Sequence, residues 1–439
     1  MKVLKFGGTS VGSAQRMKEV AKLITDGERK IVVLSAMSGT TNTLVEISDY
    51  LYKKNPEGAN EIINKLESKY RQHIDELFAT PEYKQKGLEL IKSHFDYIRS
   101  YTKDLFTLFE EKVVLAQGEL ISTAMMNYYL QECSVKSVLL PALEYMRTDK
   151  NAEPDPVYIK DKLQVQLELH PDAEIYITQG YICRNAYGEI DNLQRGGSDY
   201  TASLIGAAIN ASEIQIWTDI DGMHNNDPRI VDKTAPVRHL HFEEAAELAY
   251  FGAKILHPTC IQPAKYANIP VRLLNTMDPT APGTLISNDT EKGKIKAVAA
   301  KDNITAIKIK SSRMLLAHGF LRKVFEIFES YQTSIDMICT SEVGVSVSID
   351  NVKHLNEILD DLKKYGTVTV DKDMCIICVV GDLEWENVGF EAKALDAMRD
   401  IPVRMISFGG SNYNISFLIR ECDKKAALQS LSDALFNEE

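Results

Sequence analysis

The sequence lacks the features that mark membrane, secreted and nucleic-acid-binding proteins. No apolar run approaches the length that a membrane-spanning helix needs. The N-terminus enters a strand-like run directly, without the basic and apolar regions of a secretory signal. The formal net charge is -12 at pH 7, whereas a general nucleic-acid binder would carry a basic face. These absences favour small-molecule chemistry, with no nucleic-acid or membrane partner.

Cysteine is scarce, and several catalytic signatures are missing. The seven cysteines stand singly except for Cys375 and Cys378, which a buried strand CIICVV would turn to opposite faces. The nine histidines lack metal-ligand spacing, GxGxxG is absent, and no Ser-His-Asp or Cys-His order stands out. A protein-held metal site, a hydrolase and a dehydrogenase therefore lose support. We expect a reducing, cytoplasmic compartment.

The length and the periodicity predict more than one domain. A chain of 439 residues is long for a single core. Over its first part, strand-like runs alternate with helical patterns, which predicts an α/β fold with a mainly parallel sheet between helices. Residues 44–109 interrupt this rhythm with a helical excursion, which we expect to flank a cleft. The strand candidates are residues 2–6, 30–35, 112–116, 137–141, 174–178, 214–218 and 270–274.

The last third of the chain repeats itself. The stretch 277–296 is rich in Pro, Gly, Asp and Lys and is predicted to end the first domain. Two copies of a strand, helix, strand, strand, helix unit follow, and such paired modules can extend one another's sheets. Neither copy looks catalytic. The predicted domains are 1–290, 297–372, with a leading strand region that the next domain shares, and 373–439.

A lysine precedes a glycine pair in the motif KFGGTSVGS near the N-terminus. The pattern predicts a strand, a turn and a helix, and the bare N–H groups of such a turn attract an anion. Lys5 adds a full positive charge. The order differs from the Walker P-loop, in which the lysine follows the glycines. A tight turn with a surface lysine explains this motif equally well when it is taken alone.

Two further turns repeat this device. The motif SAMSGTTN offers the hydroxyls of Ser35 and Thr41 after a second strand, with a capped helix as the alternative. The motif QRGGSDYTAS sets Arg195 before a glycine pair and Asp199 at a helix start, where an N-cap is the common role. Ligands of open parallel sheets lie beyond the carboxyl ends of the strands, so we expect these turns to share one rim.

Charged residues continue along the later turns. Asp219 follows a buried strand in WTDIDG, and Arg229 in DPR adds a positive charge. A site for a magnesium-bound nucleotide requires both signs of charge. Lys254 in FGAKILHP comes just past a helix, whose negative end it could equally stabilise. Glu119 in LAQGELIS is predicted to follow a strand and to pair with a substrate ammonium, or else to be a helix-start glutamate. Together these charges predict a site for a highly charged anion and a zwitterionic partner.

The motifs KFGGTSV, SAMSGTTN, QGE, QRGGSD, WTDIDG, DPR and FGAKILHP, in this order, resemble aspartate kinase of the amino acid kinase superfamily, followed by two ACT domains. The resemblance covers essentially the whole chain. It implies the amino acid kinase, or carbamate kinase-like, fold with two ferredoxin-like ACT domains. It also implies phosphoryl transfer from ATP, with Mg2+, to the side-chain carboxylate of L-aspartate. The products would be 4-phospho-L-aspartate and ADP, in the first step towards lysine, threonine and methionine.

The resemblance also implies roles for the residues at the motif positions. Lys5 would bridge the transferring phosphoryl group, and Asp199 would orient the surrounding cluster. Many relatives carry another aromatic residue where this chain has His224, so ring stacking on the nucleotide from that position is not implied. Aspartate would be held by Ser35, Thr41, Glu119 and Arg195. The nucleotide side would be lined by Lys5, Gly7, Gly8, Thr218, Asp219, Arg229 and Lys254.

The first ACT-like copy, with MLLAHGFLRKVF and SIDMICTSEVGVSVSID, resembles the lysine-inhibited members in particular. The resemblance implies feedback inhibition by lysine, with threonine as the alternative effector. It also implies a homodimer formed through the ACT domains. The candidate effector residues are Met314, His318, Gly319, Phe320, Asp336, Ser341 and Glu342.

Two other functions stay open from the sequence alone. One is another kinase of the same superfamily, although the combination of Glu119, Arg195 and ACT domains disfavours it. The other is a non-catalytic amino-acid sensor. Loss of Lys5, Arg195 or Asp199 would favour a sensor, and all three residues are present.

Overall fold

The computed structural model describes residues 1–193, 196–252, 256–311 and 318–436. The chain divides into two compact units, Met1–Met223 with Leu256–Asn288 and His224–Ile255 with Asp289–Glu439. The segment 224–255 is therefore grouped with the C-terminal part of the chain. The domain limits given above stay predictions.

The elements are numbered in chain order. The helices are α1 (Ala14–Ile24), α2 (Thr40–Tyr52), α3 (Pro56–Leu77), α4 (Pro81–Ser100), α5 (Leu108–Glu132), α6 (Ala142–Tyr145), α7 (Pro156–Glu168), α8 (Gly197–Ile209), α9 (Phe242–Tyr250), α10 (Gln262–Tyr266), α11 (Phe320–Ser330), α12 (Leu355–Lys363), α13 (Phe390–Ala397) and α14 (Lys424–Phe436). The strands are β1 (Lys2–Phe6), β2 (Lys30–Leu34), β3 (Ser137–Leu140), β4 (Ile175–Gln179), β5 (Ile182–Arg184), β6 (Ile190–Asn192), β7 (Ile214–Thr218), β8 (Met223–His224), β9 (Pro236–Val237), β10 (His239–His241), β11 (Val271–Asn275), β12 (Thr284–Ser287), β13 (Ile295–Lys310), β14 (Met337–Ser341), β15 (Gly344–Ile349), β16 (Thr367–Gly381), β17 (Val403–Ser407) and β18 (Asn414–Arg420). Within the described residues, no helix is both long and apolar enough to cross a membrane.

A mainly parallel sheet forms the centre of the first unit. Its strands follow the order β12-β11-β7-β1-β2-β4-β3. Every neighbouring pair in this order is parallel except β11 and β12, which are antiparallel. All five residues of β2 are buried, as expected for a strand covered on both faces. The α/β fold predicted from the sequence is confirmed.

The central strands end in register at one edge of this sheet. Phe6 of β1 lies opposite both Leu34 of β2 and Trp217 of β7. The ladder runs one residue further, because the Ser35 N–H donates to the Phe6 carbonyl at 3.2 Å and the Gly180 N–H donates to the Leu34 carbonyl at 2.9 Å. The turns that follow β1, β2, β4 and β7 therefore lie side by side at the carboxyl edge, where ligands of such sheets bind.

Helix α5 replaces the strand that the sequence predicted at residues 112–116. That prediction was wrong, whereas the other six predicted strands are confirmed to within one residue at each end. Residues Val114 to Glu119 are all buried, so the apolar run shows no helical period that would distinguish it from a strand. Glu119 consequently lies inside a long helix and does not follow a strand. The segment 44–109 contains α3 and α4, most of α2 and the start of α5.

The second unit contains an antiparallel sheet with strand order β14-β15-β13-β16-β18-β17. One module consists of β13, α11, β14, β15 and α12, and the other consists of β16, α13, β17, β18 and α14. The long strands β13 and β16 pair along their length at the centre of the sheet. The predicted extension of one repeat's sheet by the other is confirmed.

The two modules share their central strands. Val298, in the first half of β13, belongs to a core with Phe390 and Phe417 of the second module. Ile307, in the second half of the same strand, belongs to a separate core with Phe328 of the first module. Each module therefore has its own hydrophobic core on the common sheet.

Candidate active site

A cavity of about 400 Å³ opens at the carboxyl edge of the parallel sheet. It is formed by the turns after β1, β2 and β4, by the middle of α5 and by the start of α8. Its lining residues are Gly8, Ser35, Ala36, Met37, Ser38, Gly39, Thr41, Asn42, Glu119, Tyr181, Gly197 and Ser198.

Lys5 and Asp199 form an ion pair at this edge. The Lys5 ammonium lies 2.7 Å from the Asp199 carboxylate, and both side chains are largely buried. Asp199 is the third residue of α8, whose N-cap is Gly196, so the alternative N-cap role for Asp199 is wrong. The ammonium also lies 3.4 Å from the position that a Cβ on Gly7 would occupy. The aspartate thus holds a positive charge beside the glycine turn.

Glu119 reaches the cavity from the middle of α5. Its Oε1 atom accepts a hydrogen bond of 3.2 Å from the Ala36 N–H. Its Oε2 atom is buried and has no hydrogen-bond partner in the part of the chain that the structure describes. Burial raises the pKa of Glu119 to about 7, and the hydrogen bond from Ala36 offsets part of this rise. An unpaired buried carboxylate oxygen is a suitable acceptor for a substrate ammonium.

Gly118 lets α5 approach the turn after β2 closely. A Cβ at this position would lie 2.8 Å from the Ala36 Cβ and 3.3 Å from the Thr40 Cγ2. One turn further along the helix, the Ser122 hydroxyl donates to the Ser35 carbonyl at 2.8 Å. The absence of a side chain before Glu119 therefore sets the carboxylate against the backbone of the turn.

Hydroxyl groups from separate elements converge on the same cavity. The Ser35 hydroxyl donates to the Ser198 hydroxyl at 2.8 Å, which joins the turn after β2 to the start of α8. Thr41 lines the cavity from the first turn of α2. The structure therefore brings Lys5, Ser35, Thr41, Glu119 and Asp199 to one edge of the sheet. The sequence predicted this, because turns that follow parallel strands lie at the same edge.

Thr218 and Asp219 lie at the end of β7, the strand beside β1. The Thr218 hydroxyl accepts a hydrogen bond of 3.3 Å from the Ile220 N–H. Asp219 is exposed at the rim. Because β7 and β1 are in register, both residues share the carboxyl edge with Lys5.

Arg229 belongs to the second compact unit. Its guanidinium forms two hydrogen bonds with the Asp227 carboxylate, at 2.9 and 2.7 Å, and its side chain is exposed. Its assignment to the nucleotide side stays a prediction. Arg195 and Lys254 lie outside the described residues, so their assignments also stay predictions.

The candidate effector residues lie in the first module of the second unit. His318 and Gly319 precede α11, with Gly319 as its N-cap at a φ of 83°, and Phe320 is the first helical residue. Ser341 and Glu342 are exposed where β14 turns into β15. Met314 lies outside the described residues, and the effector assignment stays a prediction.

Asp336, the remaining effector candidate, is buried in an ionic cluster. Its Oδ1 atom lies 2.7 Å from the Lys301 ammonium and accepts a hydrogen bond of 2.8 Å from the Tyr250 hydroxyl. Lys301 also lies 2.9 Å from Asp350 and 4.3 Å from the centre of the Tyr250 ring. Burial raises the pKa of Asp336 despite the lysine. The amino group beside Asp336 in this structure is therefore that of Lys301.

Sequence reasoning gave no role to several lining residues, among them Asn42 and Tyr181. Tyr181 follows β4 by two residues, has a φ of 69° and donates its N–H to the Thr201 hydroxyl at 3.0 Å. The sequence did contain a usable signal, since residues just past any parallel strand of this sheet lie at the carboxyl edge. Asn42 follows Thr41 in the first turn of α2, so the same rule reaches it.

Comparisons with known proteins agree with this geometry. Residues 1–275 match the model of the amino acid kinase family, and residues 377–435 match an ACT domain model. Aspartokinase 1, chloroplastic, of Arabidopsis thaliana is 35% identical over 99% of this chain and 80% of its own length. Lysine-sensitive aspartokinase 3 of Escherichia coli (strain K12) is 32% identical over 99% of both chains.

Solved structures of E. coli aspartokinase III are similar over their full length. The complex with aspartate and ADP has a TM-score of 0.84 at 31% identity, with 100% of both chains covered. The complex with lysine and aspartate has a TM-score of 0.81 at 32% identity, again with 100% of both chains covered. These matches favour a catalytic aspartokinase over the sensor and over the other kinases that the sequence left open. The chain therefore belongs to the amino acid kinase family and, within it, to the aspartokinases, which are aspartate kinases, and its C-terminal part contains ACT modules.

Proposed function

We propose that this chain transfers the γ-phosphoryl group of ATP to the side-chain carboxylate of L-aspartate, giving 4-phospho-L-aspartate and ADP. This reaction would be the first step towards lysine, threonine and methionine. The observation that carries the proposal is the unpartnered, buried Glu119 oxygen in a cavity whose edge holds the Lys5–Asp199 ion pair. The similar E. coli enzyme, solved with aspartate and ADP, supports the same pair of ligands.

The substrate's three charged groups have separate partners in this proposal. Glu119 binds the ammonium through its free Oε2 atom. Arg195 clamps a carboxylate, because a guanidinium presents two parallel donors. Ser35 and Thr41 present their hydroxyl groups to the substrate from the turn that lines the cavity.

Lys5 acts on the transferring phosphoryl group. A carboxylate is already a nucleophile at neutral pH, so the enzyme needs no general base for the attack. The remaining barrier comes from aligning two anions that repel each other, and fixed positive groups lower it. Asp199 holds the Lys5 ammonium 2.7 Å away and thereby keeps it in position before the substrates arrive.

The nucleotide side of the site combines the glycine turn with the end of β7. Among the described residues, no group of three or more His, Cys, Asp or Glu could hold a metal ion. Mg2+ at kinase sites is held mainly by phosphates, waters and one or two carboxylates, so the residues fit an ion that enters as MgATP. Bound Mg2+ would neutralise phosphate charge. The proposed nucleotide residues are Lys5, Gly7, Gly8, Thr218, Asp219, Arg229 and Lys254.

We further propose feedback inhibition by lysine through the first ACT module. The support is the similarity to an E. coli relative that is named lysine-sensitive. An effector that binds one conformational state more tightly shifts the population towards that state. The lysine ammonium would approach Asp336, where it would meet Lys301. Threonine remains the alternative effector.

The assembly that we propose is a cytoplasmic homodimer formed through the ACT modules. The described part of the first module exposes several large apolar side chains, as a surface that pairs with a second copy would. They include Leu321, Phe325, Ile338 and Val343. Sedimentation at micromolar protein concentration should give twice the mass of one chain, and a monomer would contradict the proposal.

A substrate panel tests the proposed reaction. Hydroxylamine traps acyl phosphates as coloured hydroxamates, so the assay reports this product class directly. The enzyme is incubated with MgATP and, separately, L-aspartate, L-glutamate or an N-acetylated amino acid. We expect hydroxamate with L-aspartate alone, and less of it when millimolar lysine is added. Turnover of another substrate in place of aspartate would overturn the assignment.

A further inference from the structure

Two adjacent residues of α3, which belongs to the helical excursion, contact the turn that follows β2. The Tyr70 hydroxyl shares a hydrogen bond of 2.8 Å with the Thr40 hydroxyl. The neighbouring Lys69 ammonium donates to the Ser38 carbonyl at 3.3 Å. Both contacts reach the stretch 35–42, which forms one wall of the cavity. None of the roles proposed so far uses this link.

Thr40 is the one residue between Ser35 and Asn42 that does not line the cavity. Its side chain is 1% exposed. The hydroxyl meets Tyr70, while the methyl lies 3.3 Å from where a Cβ on Gly118 would be. Thr40 therefore packs between α3 and α5 and does not face the cavity.

Tyr70 is itself held in place by packing, so it can fix the position of Thr40. Its side chain is 1% exposed, and its ring packs 5.8 Å from the ring of Phe95 on α4. Burial raises the pKa of Tyr70, and the negative charge of Glu119 adds to the rise. The hydroxyl is therefore neutral at ordinary pH.

We propose that Tyr70 is a positioning residue for the amino-acid substrate. By holding Thr40, it fixes the turn 35–42 relative to Glu119, so that the ammonium and carboxylate partners of the substrate keep their spacing. The helical excursion would then serve substrate binding, although it contributes no residue to the cavity lining. This inference rests on the proposed aspartate kinase activity.

The test compares Tyr70→Phe with a matched control, Tyr145→Phe. Tyr145 is also fully buried, and its hydroxyl shares a hydrogen bond of 2.5 Å with Thr178, away from the cavity lining. We expect kcat/KM for L-aspartate to fall about tenfold in Tyr70→Phe, mostly through KM, since small misplacements of binding groups have large kinetic effects. KM for ATP should stay within about twofold, and Tyr145→Phe should keep wild-type kinetics even if its Tm falls.

Two variants of Thr40 guard against a Tyr70 variant that fails to fold. Thr40→Ser keeps the hydroxyl and should retain most of the aspartate affinity, whereas Thr40→Val should reproduce the rise in KM. Because the pair acts as a unit, Tyr70→Phe combined with Thr40→Val should be no worse than either change alone. Unchanged KM in Tyr70→Phe and Thr40→Val, or an equal rise in Tyr145→Phe, would overturn the inference. A wild-type enzyme that does not phosphorylate aspartate would overturn the proposed function, and this inference with it.

Discussion

The ammonium of Lys5 and the carboxylate of Asp199 lie 2.7 Å apart and join the first strand to helix α8. A lysine side chain is long and flexible, so its charge stays at one position only if a fixed partner holds it. The pair stands at the end of β1, beside the turns that follow β2 and β7. The proposed reaction needs a cation at that place.

Replacing Asp199 should impair the chemical step more than nucleotide binding. In Asp199→Asn the side chain keeps its size but loses the charge that holds Lys5. We expect kcat to fall about 100-fold, as when one preorganised electrostatic group is lost, while KM for ATP changes by less than about threefold. Glu28→Gln is the control, because Glu28 pairs with Lys2 on the same strand but is exposed. Steady-state kinetics that leave kcat of Asp199→Asn unchanged would refute the role.

Aspartate binding should depend on pH through Glu119. Burial raises the pKa of Glu119 to about 7, so the free enzyme loses part of its ammonium-binding charge below neutral pH. KM for aspartate should therefore fall as pH rises from about 6 to about 8. Glu119→Gln should show a higher KM without this slope. A wild-type KM that is flat over this range would contradict the role of Glu119.

The same shift in pKa affects stability with a definite sign. The folded state binds the Glu119 proton more tightly than the unfolded state, whose ordinary pKa is 4.5. The contribution of this group to the free energy of unfolding should therefore fall as pH rises from about 4.5 to about 7. Chemical denaturation of wild type and Glu119→Gln across this range measures it. An identical pH slope in the two proteins would show that Glu119 is not the group involved.

The sequence predicted the strand ends and their charged residues better than it predicted the helices beside the cavity. Short apolar strands bounded by glycine turns, such as those carrying Lys5 and Ser35, have a clear local signal. Residues 112–116 were misread as a strand because they lead into a stretch of α5, from Val114 to Glu119, in which every residue is buried. The contact between Thr40 and Tyr70 joins separate helices, so no local sequence pattern predicts it. Long-range packing of this kind appears only in the folded chain.

A methyl group at Gly118 should separate α5 from the cavity turn. The added Cβ of Gly118→Ala would meet Ala36 and Thr40, so the helix has to move and Glu119 moves with it. We expect a loss of about 1–3 kcal/mol in unfolding free energy and a several-fold higher KM for aspartate. Gly87→Ala on α4 is the control, because its Cβ would crowd Ile74 and Phe78 instead. It should change stability without changing KM, and equal KM values in the two variants would refute the proposed spacing.

Removing Lys301 should destabilise the first ACT module. Lys301→Met leaves the buried Asp336 without its ammonium, and loss of one partner of a buried pair is costly, about 3 kcal/mol in unfolding free energy. Lys364→Met is the control, since Lys364 pairs with Asp361 on the surface of the same module. Lysine should also inhibit Lys301→Met at lower concentration, because no internal ammonium competes for Asp336. Wild-type stability together with unchanged inhibition would refute both statements.

The most direct test of the central claim is the rate of hydroxylamine-trapped acyl phosphate formation from MgATP and L-aspartate in wild type and Lys5→Met. If Lys5 holds the phosphoryl group between two repelling anions, wild type forms the acyl phosphate. At saturating substrates, Lys5→Met is then slower by about 100-fold or more, with ATP affinity nearly unchanged. Equal rates in the two proteins would contradict the account.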